Sequence, residues 1–319
     1  MQYNPIVSRE SMDHIIPLKQ VIHDWNTGHY DHEEAGDYSA TDLINPPRIV
    51  QLRKRHRDDL KLSIASQINA FFGTAVHDIY EKTLGKLKEY TVEQRIKTTI
   101  NDRIITGKFD ILLNNKHIYD IKTTKTWKKV FDPTLKEWHE QQNIYAYLLA
   151  TTGITVESLN IIAHYYDWVE NMALRNKEYP SDSVVEYSLT LWKPADIYDF
   201  ISERLELHKN SEALSDDDLP ACSREDRWER FDDGSTMQFA LFRNKEAKRA
   251  TKLFTNLEEA IATGRVTKNH GSDSFVEIRY AQRKRCQKYC DVSHHCNHFQ
   301  EYLQQVNTGT LNDYVPLYN

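Results

Sequence analysis

Asp120 and Lys122 stand two residues apart in Ile118-Tyr119-Asp120-Ile121-Lys122-Thr123-Thr124, a run that reads as a β-strand. Strand alternation puts the acid and the amine on one face, with Ile118 and Ile121 as core residues. Charges held near an apolar interior are costly, so such a pair is rarely a mere solvated face. A second acid lies upstream in Gly107-Lys108-Phe109-Asp110-Ile111-Leu112-Leu113. The link, Asn114-Asn115-Lys116, is hairpin chemistry, because Asn tolerates positive φ. If Leu113 faces His117, Asp110 falls opposite Asp120 with Cβ atoms about 5 Å apart. A two-residue loop would shift that register by one. Two carboxylates so close repel unless a cation lies between them, and hard divalent ions take oxygen ligands of this kind. The chemistry implied is metal-assisted hydrolysis of a phosphodiester.

Two helices must bring the remaining polar groups to that strand pair. Phe71-Phe72-Gly73-Thr74-Ala75-Val76-His77-Asp78-Ile79-Tyr80-Glu81 reads as a helix with Ala75, Val76, Ile79 and Tyr80 as its buried stripe. His77 and Glu81, four apart, share one face; read alone, they are a surface pair. Gln141-Gln142-Asn143-Ile144-Tyr145-Ala146-Tyr147-Leu148-Leu149 reads as a second amphipathic helix with Gln141 and Tyr145 on one face. Taken alone, it is a core helix with two ordinary polar residues.

In order, these pieces are Gly-x-x-x-His-x-x-x-Glu, Gly-x-x-Asp, Asp-x-Lys and Gln-x-x-x-Tyr, over roughly residues 70 to 150. The series resembles the PD-(D/E)XK nuclease superfamily, and within it the RecB-like branch that includes CRISPR-adaptation exonucleases and phage recombination nucleases. One departure is Asp120, where many relatives have Glu; both supply a carboxylate. The resemblance implies that His77, Asp110, Asp120 and the carbonyl of Ile121 hold one or two Mg²⁺ or Mn²⁺ ions, with Glu81 as an outer metal partner. It implies that Lys122 orients and helps deprotonate the attacking water or stabilises phosphate charge, and that Gln141 and Tyr145 position the DNA backbone. A metal lowers the pKa of its bound water, Lys122 adds a positive charge, and a lysine pKa shifts readily on burial.

Four cysteines form the other pattern: Cys286, Cys290 and Cys296 together, and Cys222 apart. No secretory signal is evident at the first residues, so the expected compartment is a reducing bacterial or phage-infected cytosol, which favours a metal site over two disulfides. Thiolates alone suit zinc or an iron–sulfur cluster. Relatives of the CRISPR-adaptation and AddB types carry one upstream cysteine and three near the C-terminus around a 4Fe–4S cluster, and the triple here is similar to that arrangement. In those relatives the first cysteine precedes the nuclease core, whereas Cys222 follows it. His294, His295 and His298 are alternative ligands, which keeps zinc open. A structural cluster would close a loop of about 65 residues between Cys222 and Cys286, constraining the unfolded chain.

The chain has 319 residues, 39% hydrophobic, and a formal net charge of −6, which by itself speaks against a nucleic-acid partner. Distribution matters more than the sum. Basic runs at 48–57, 122–129, 243–252 and 279–288 contrast with acid at 31–37 and 216–218. Two of the basic runs flank the acid–lysine motif or the cysteines, and phosphate contacts are expected there. No apolar run approaches the roughly 20 residues a bilayer span needs, and no Walker-type loop is present, so any motor belongs to a helicase or recombination partner.

The expected architecture is α/β: a restriction-endonuclease-like core with a mixed central sheet flanked by helices, and a cysteine-cluster C-terminal region. Its parts are a helical lead over 1–60, the core over 61–210 and the cysteine region over 211–319. Strands are expected at 92–100, 103–113, 117–123, 158–167 and 184–191, with helices at 48–62, 194–209 and 256–263. The reading is a metal-dependent DNA exonuclease. Alternatives are an RNA-directed nuclease, a DNA-binding module, or a zinc-stabilised interaction protein with no nuclease activity.

Overall fold

The computed structural model describes residues 36–60, 64–231, 235–267, 273–308 and 311–317. In chain order these begin with β1 (Tyr38–Ser39), α1 (Ala40–Ile44), α2 (Pro47–Arg55) and α3 (Ile64–Leu84). There follow β2 (Tyr90–Ile100), β3 (Arg103–Leu113), β4 (His117–Thr124), α4 (Trp127–Phe131) and α5 (Lys136–Thr151). Then come β5 (Ser158–Tyr165), α6 (Glu170–Arg175), β6 (Val184–Leu189) and α7 (Pro194–Glu212). The remainder holds β7 (Met237–Phe242), β8 (Lys252–Phe254), α8 (Leu257–Val266), β9 (Phe275–Tyr280), α9 (Lys284–Lys288), α10 (Asn297–Thr308) and β10 (Asp313–Pro316). Short 3₁₀ turns lie at Arg57–Asp59 and Ser293–His295.

These elements form two compact units, one ending its first segment at Ile44 and resuming over Leu62–Lys209, the other made of Asn45–Lys61 and Asn210–Asn319. The single lead expected over 1–60 is therefore divided, and its residues 1–35 lie outside those described. Ser39 opens α1 as a capping box: its Oγ accepts from the Asp42 N–H, and the Asp42 carboxylate accepts from the Ser39 N–H. The helix expected over 48–62 is shorter, giving way at His56 to the 3₁₀ turn.

The first unit is a mixed six-stranded sheet with helices around it, as the α/β reading expects. Two tight links set its register. Asn101 and Asn114 both begin positive-φ pairs, Asn101-Asp102 and Asn114-Asn115, the left-handed backbone that hairpin loops need. Thus Ile100 pairs Arg103, and Leu113 pairs His117. Strand β2 runs antiparallel along the whole of β3. On the other edge of β3, β1 pairs parallel at Ile105 and Thr106, and β4 pairs antiparallel only from Ile111 to Leu113. Between them, residues 107–110 have no strand beside them on that edge among the described residues. Helix α5 closes in there: a Cβ on Gly107 would meet the Tyr145 ring and Leu148 at 2.8 Å, so only glycine permits the approach. Beyond β4, β5 pairs parallel and β6 antiparallel. Ile118 and Ile121, on opposite faces of β4, are both fully buried.

The second unit contains an antiparallel sheet in the order β10-β9-β7-β8. Phe239, Leu241, Phe254 and Val276 pack there against Ala260 of α8 and Leu317. Of these elements only the helix was anticipated. Arg48 of α2 is 1% exposed, and its guanidinium donates to the carbonyls of Asp216, Asp217, Leu219 and Pro220 and to Asn297. Arg53 pairs with Asp291 and Arg55 with Asp216. The basic run at 48–57 is thus largely used up inside the unit.

Candidate active site

Asp110 and Asp120 meet where β3 and β4 separate. Their ladder ends at Ile111–Tyr119, one step short of the two acids. In place of the next rung, the Asp110 carboxylate accepts the Ile121 N–H at 2.6 Å. Both acids are buried, at 8% and 2% exposure. Burial, then the charge of Asp120, pushes Asp110 up to about 7. Asp110 therefore gives up its proton far less readily than an ordinary carboxyl.

His77 of α3 reaches this point. Its Nδ1 lies 3.3 Å from Glu93 Oε1 and 3.5 Å from Asp110 Oδ1, and its Nε2 lies 3.0 Å from the Ile121 carbonyl. Donor atoms of His77, Glu93 and Asp110 all fall within 4.8 Å of one another. Burial pulls the His77 pKa down, but Glu93, Asp110 and Asp120 more than offset it, and the net shift is upward. Glu81 is exposed on α3 and is not in this set; the acid beside His77 is Glu93, across the sheet rather than along the helix.

Glu93 was not foreseen. It stands opposite Asp110 in the β2–β3 register, at the one rung the ladder omits, with φ of 51°. A left-handed backbone at a non-glycine strand residue is strained, and such strain gathers at sites the surrounding fold over-determines. Lys108 holds the other Glu93 oxygen at 2.5 Å. Burial raises the Glu93 pKa, yet His77 and Lys108 bring it below its ordinary value.

Lys122 shares the face of Asp120, and its Nζ lies 2.7 Å from Asp120 Oδ2. That oxygen makes no hydrogen bond of good angle, leaving a buried lone pair unused. Burial draws the Lys122 pKa down, but Asp120 and Asp110 outweigh it and hold the ammonium protonated. Lys122 also donates to Gln141 Oε1 at 2.9 Å; the Gln141 amide in turn donates to Thr41 Oγ1 and to the Tyr145 hydroxyl, at 3.1 and 3.0 Å. Both Gln141 and Tyr145 are buried, and they form a chain of hydrogen bonds that reaches the lysine through Gln141. Helix α5, brought close by Gly107, is what sets this chain of bonds.

In the second unit the four cysteines are free thiols and line one cavity together with Arg48, Ile49 and Phe299. Burial, with neighbouring acid and thiol charge, pushes Cys222 up to about 12 and Cys286 to about 11. The buried Arg48 guanidinium stands 3.9 Å from Cys296 Sγ. Among the described residues no three of these sulfurs lie within 4.8 Å of one another. A single zinc ion, with Zn–S near 2.3 Å, needs its sulfurs only about 3.8 Å apart. His294 and His295 turn toward Asp59, and His298 lies 4.0 Å from Glu301; none joins a cysteine in a close donor trio.

Other basic residues are engaged within their own units. Lys128 pairs with Asp132 and Glu137. Arg279 pairs with Glu277, while Arg283 pairs with Glu229 and stacks on Tyr302. No helix among the described residues is long and apolar enough to cross a membrane.

No protein-family model and no curated protein matches this sequence. Among solved structures, the chain is similar to SSO0001, at 20% identity and a TM-score of 0.41, over 60% of this chain and 84% of that one. It is also similar to the alkaline exonuclease LHK-Exo of Laribacter hongkongensis, at 13% identity and TM-score 0.35, over 54% and 87%. A third is a phage-related exonuclease of Haemophilus somnus 129PT, at 14% identity and TM-score 0.26, over 60% and 76%.

Proposed function

We propose that this protein is a metal-dependent DNA exonuclease that hydrolyses phosphodiester bonds at the Asp110–Asp120–Lys122 site. One observation carries the reading: His77, Glu93 and Asp110 bring donor atoms within 4.8 Å of one another, beside a buried carboxylate ion-paired to the half-buried Lys122. Buried acids crowded this way are a poor structural solution and a good cation cradle. Two carboxylates and one imidazole suit Mg²⁺ or Mn²⁺, with Asp120 and the Ile121 carbonyl as further oxygen donors. A bound divalent ion supplies Lewis acidity toward phosphate and a water of lowered pKa.

This chain's own groups do the rest. Asp110 gives up its proton on binding and joins the already ionised Glu93 as an acceptor-only ligand. Lys122, kept protonated by the acids, offers positive charge to the phosphate oxygens as they gain charge, a role the raised pKa favours over that of a base. Gln141 fixes the ammonium in place, and Tyr145 fixes Gln141. Both are positioning residues in this reading.

For the cysteine set we propose a 4Fe–4S cluster in preference to zinc. That no three of the sulfurs lie within 4.8 Å of one another among the described residues, and that the buried Arg48 can offset thiolate charge, support the larger cofactor. Iron and sulfide content of anaerobically purified protein decides this; zinc in place of iron would reverse the assignment.

The activity is tested on end-labelled linear and covalently closed circular DNA with Mg²⁺ or Mn²⁺, comparing wild type with Lys122→Ala and Lys122→Met. The expected outcome is digestion of linear DNA alone, reduced about 10²-fold or more in both variants. Cleavage of circles keeps the site but makes the enzyme an endonuclease. Binding without cleavage by folded wild type and variants alike rejects the catalytic reading in favour of a DNA-binding module.

A further inference from the structure

The histidines that leave the cysteines form a group of their own. In the second unit, the 3₁₀ turn Ser293–His295 presents His294 and His295 to Asp59, at the end of the 3₁₀ turn Arg57–Asp59. His295 Nε2 lies 3.2 Å from Asp59 Oδ2, and His294 Nε2 lies 3.7 Å from the same oxygen. His294 Nε2 is also 2.8 Å from the Asp59 carbonyl oxygen. One donor atom from each of the three residues falls within 4.8 Å of the others. With metal–ligand bonds near 2.0–2.1 Å, neighbouring donors around one ion stand about 2.9–3.4 Å apart. The observed spacings bracket that range.

A second observation points the same way. His295 Nε2 is buried and has no hydrogen-bond partner of good geometry, although a carboxylate oxygen stands so close. A buried ring nitrogen left without a partner is destabilising. His56 stacks flat on the His295 ring, with centroids 3.8 Å apart, and is itself tied by its Nε2 to Asp216 at 2.6 Å. The His295 ring is thereby held in one orientation by a residue that does not ligate, as outer partners hold metal-bound imidazoles.

We propose that Asp59, His294 and His295 bind one divalent transition ion of the zinc class, separate from both the cysteine set and the carboxylate site. Two imidazoles with a carboxylate select zinc, cobalt or nickel over magnesium, which prefers oxygen alone. The Asp59 carbonyl is a fourth donor, and Asp59, at 62% side-chain exposure, leaves the ion open to solvent on one side. The ion joins two segments more than two hundred residues apart, and so clamps the 3₁₀ turn at Asp59 to the turn that precedes Cys296.

The test uses the full chain with its cysteine cofactor in place and Mg²⁺ in excess, titrated with Co²⁺. Wild type is expected to take up one equivalent more than Asp59→Asn or His295→Gln, with the weak d–d absorption of nitrogen and oxygen ligands. Zn²⁺ should raise the melting temperature of wild type and not of the variants. Asp59 is exposed, so its Asn variant should fold, which circular dichroism verifies. Equal uptake by all three folded proteins overturns the proposal. So does an extra equivalent that shows strong thiolate-to-cobalt charge transfer.

Discussion

The two cofactor-type sites handle charge in opposite ways. In the first unit, Glu93 and Asp110 both stand within 3.5 Å of His77, and burial with the neighbouring Asp120 charge makes ionisation of Asp110 work against the folded chain. In the second, burial pushes Cys222 up to about 12 and Cys286 to about 11, so these two thiols are neutral and do not repel one another. On the proposed reading, a cation would relieve the first site, whereas a ligand of the second would first have to take protons from its thiols. Metal removal should therefore loosen the first unit in a pH-dependent way. In the second it should act by releasing a cross-link between distant segments.

The largest expected effect tests the second unit. Arg48→Met leaves at least four backbone carbonyls without their donor in a buried place. Leaving buried carbonyls unsatisfied costs about 1–3 kcal/mol for each that finds no other donor. Denaturant unfolding should show that loss, together with reduced iron retention. Iron retention equal to wild type would separate the guanidinium from the cysteine site and weaken the contrast.

Next comes the acid pair. Asp110 has an ordinary pKa of 3.8 and a folded value of about 7, so across that window the folded chain binds more protons than the unfolded one. Stability then falls as pH rises from 4 to 7 and is flat above. His77, shifted up from 6.5, adds to the same trend, because its stabilising charge is lost as pH rises through its folded value. Glu93 works the other way, but its window lies below 4.5. In EDTA, the melting temperature should drop between pH 5 and 8, and Mg²⁺ should restore it. Asp110→Asn should stabilise the metal-free protein at pH 8 by about 1–3 kcal/mol while abolishing cleavage. A variant less stable than wild type in EDTA would mean that the carboxylate is structural.

How far each site could be read beforehand follows from how it is built. The row of acids was within reach of arithmetic on two hairpins: Asn114-Asn115-Lys116 puts Asp110 opposite Asp120, and Asn101-Asp102 puts Glu93 opposite Asp110. Only the first was counted, and a helical i,i+4 pattern drew attention to Glu81 instead. Period-2 geometry carries such information because each rung fixes the next. The burial of both faces of β4 was harder to see, since Ile118 lies on the face of Asp120 and yet is covered. In the second unit the cysteines were visible by type, but Arg48 looked like part of a basic surface run. Burial against carbonyls more than 160 residues away leaves no local trace. Strands β7 and β9 have apolar or alternating sequences, but lie between stretches dense in charge, which masked them.

Gly107→Ala and Gly73→Ala sharpen the comparison at the smallest scale, since both glycines belong to motifs and only one is fixed by packing. A methyl at Gly107 meets Tyr145 and Leu148 at 2.8 Å, so α5 must shift, at about 1–3 kcal/mol. Because Tyr145 and Gln141 ride on that helix, the displaced Lys122 should lower kcat beyond what stability explains. At Gly73 a methyl meets nothing within 4 Å, and the residue is not among the positive-φ glycines. Helix propensity alone then predicts that Gly73→Ala raises stability by about 0.5–1 kcal/mol. If activity is unchanged as the melting temperature rises, the open space beside α3 has no role in the reaction. If activity falls while stability rises, the missing side chain is needed for something that comes from outside the chain, and a nucleic-acid backbone passing one turn from His77 is the reading the proposed activity requires.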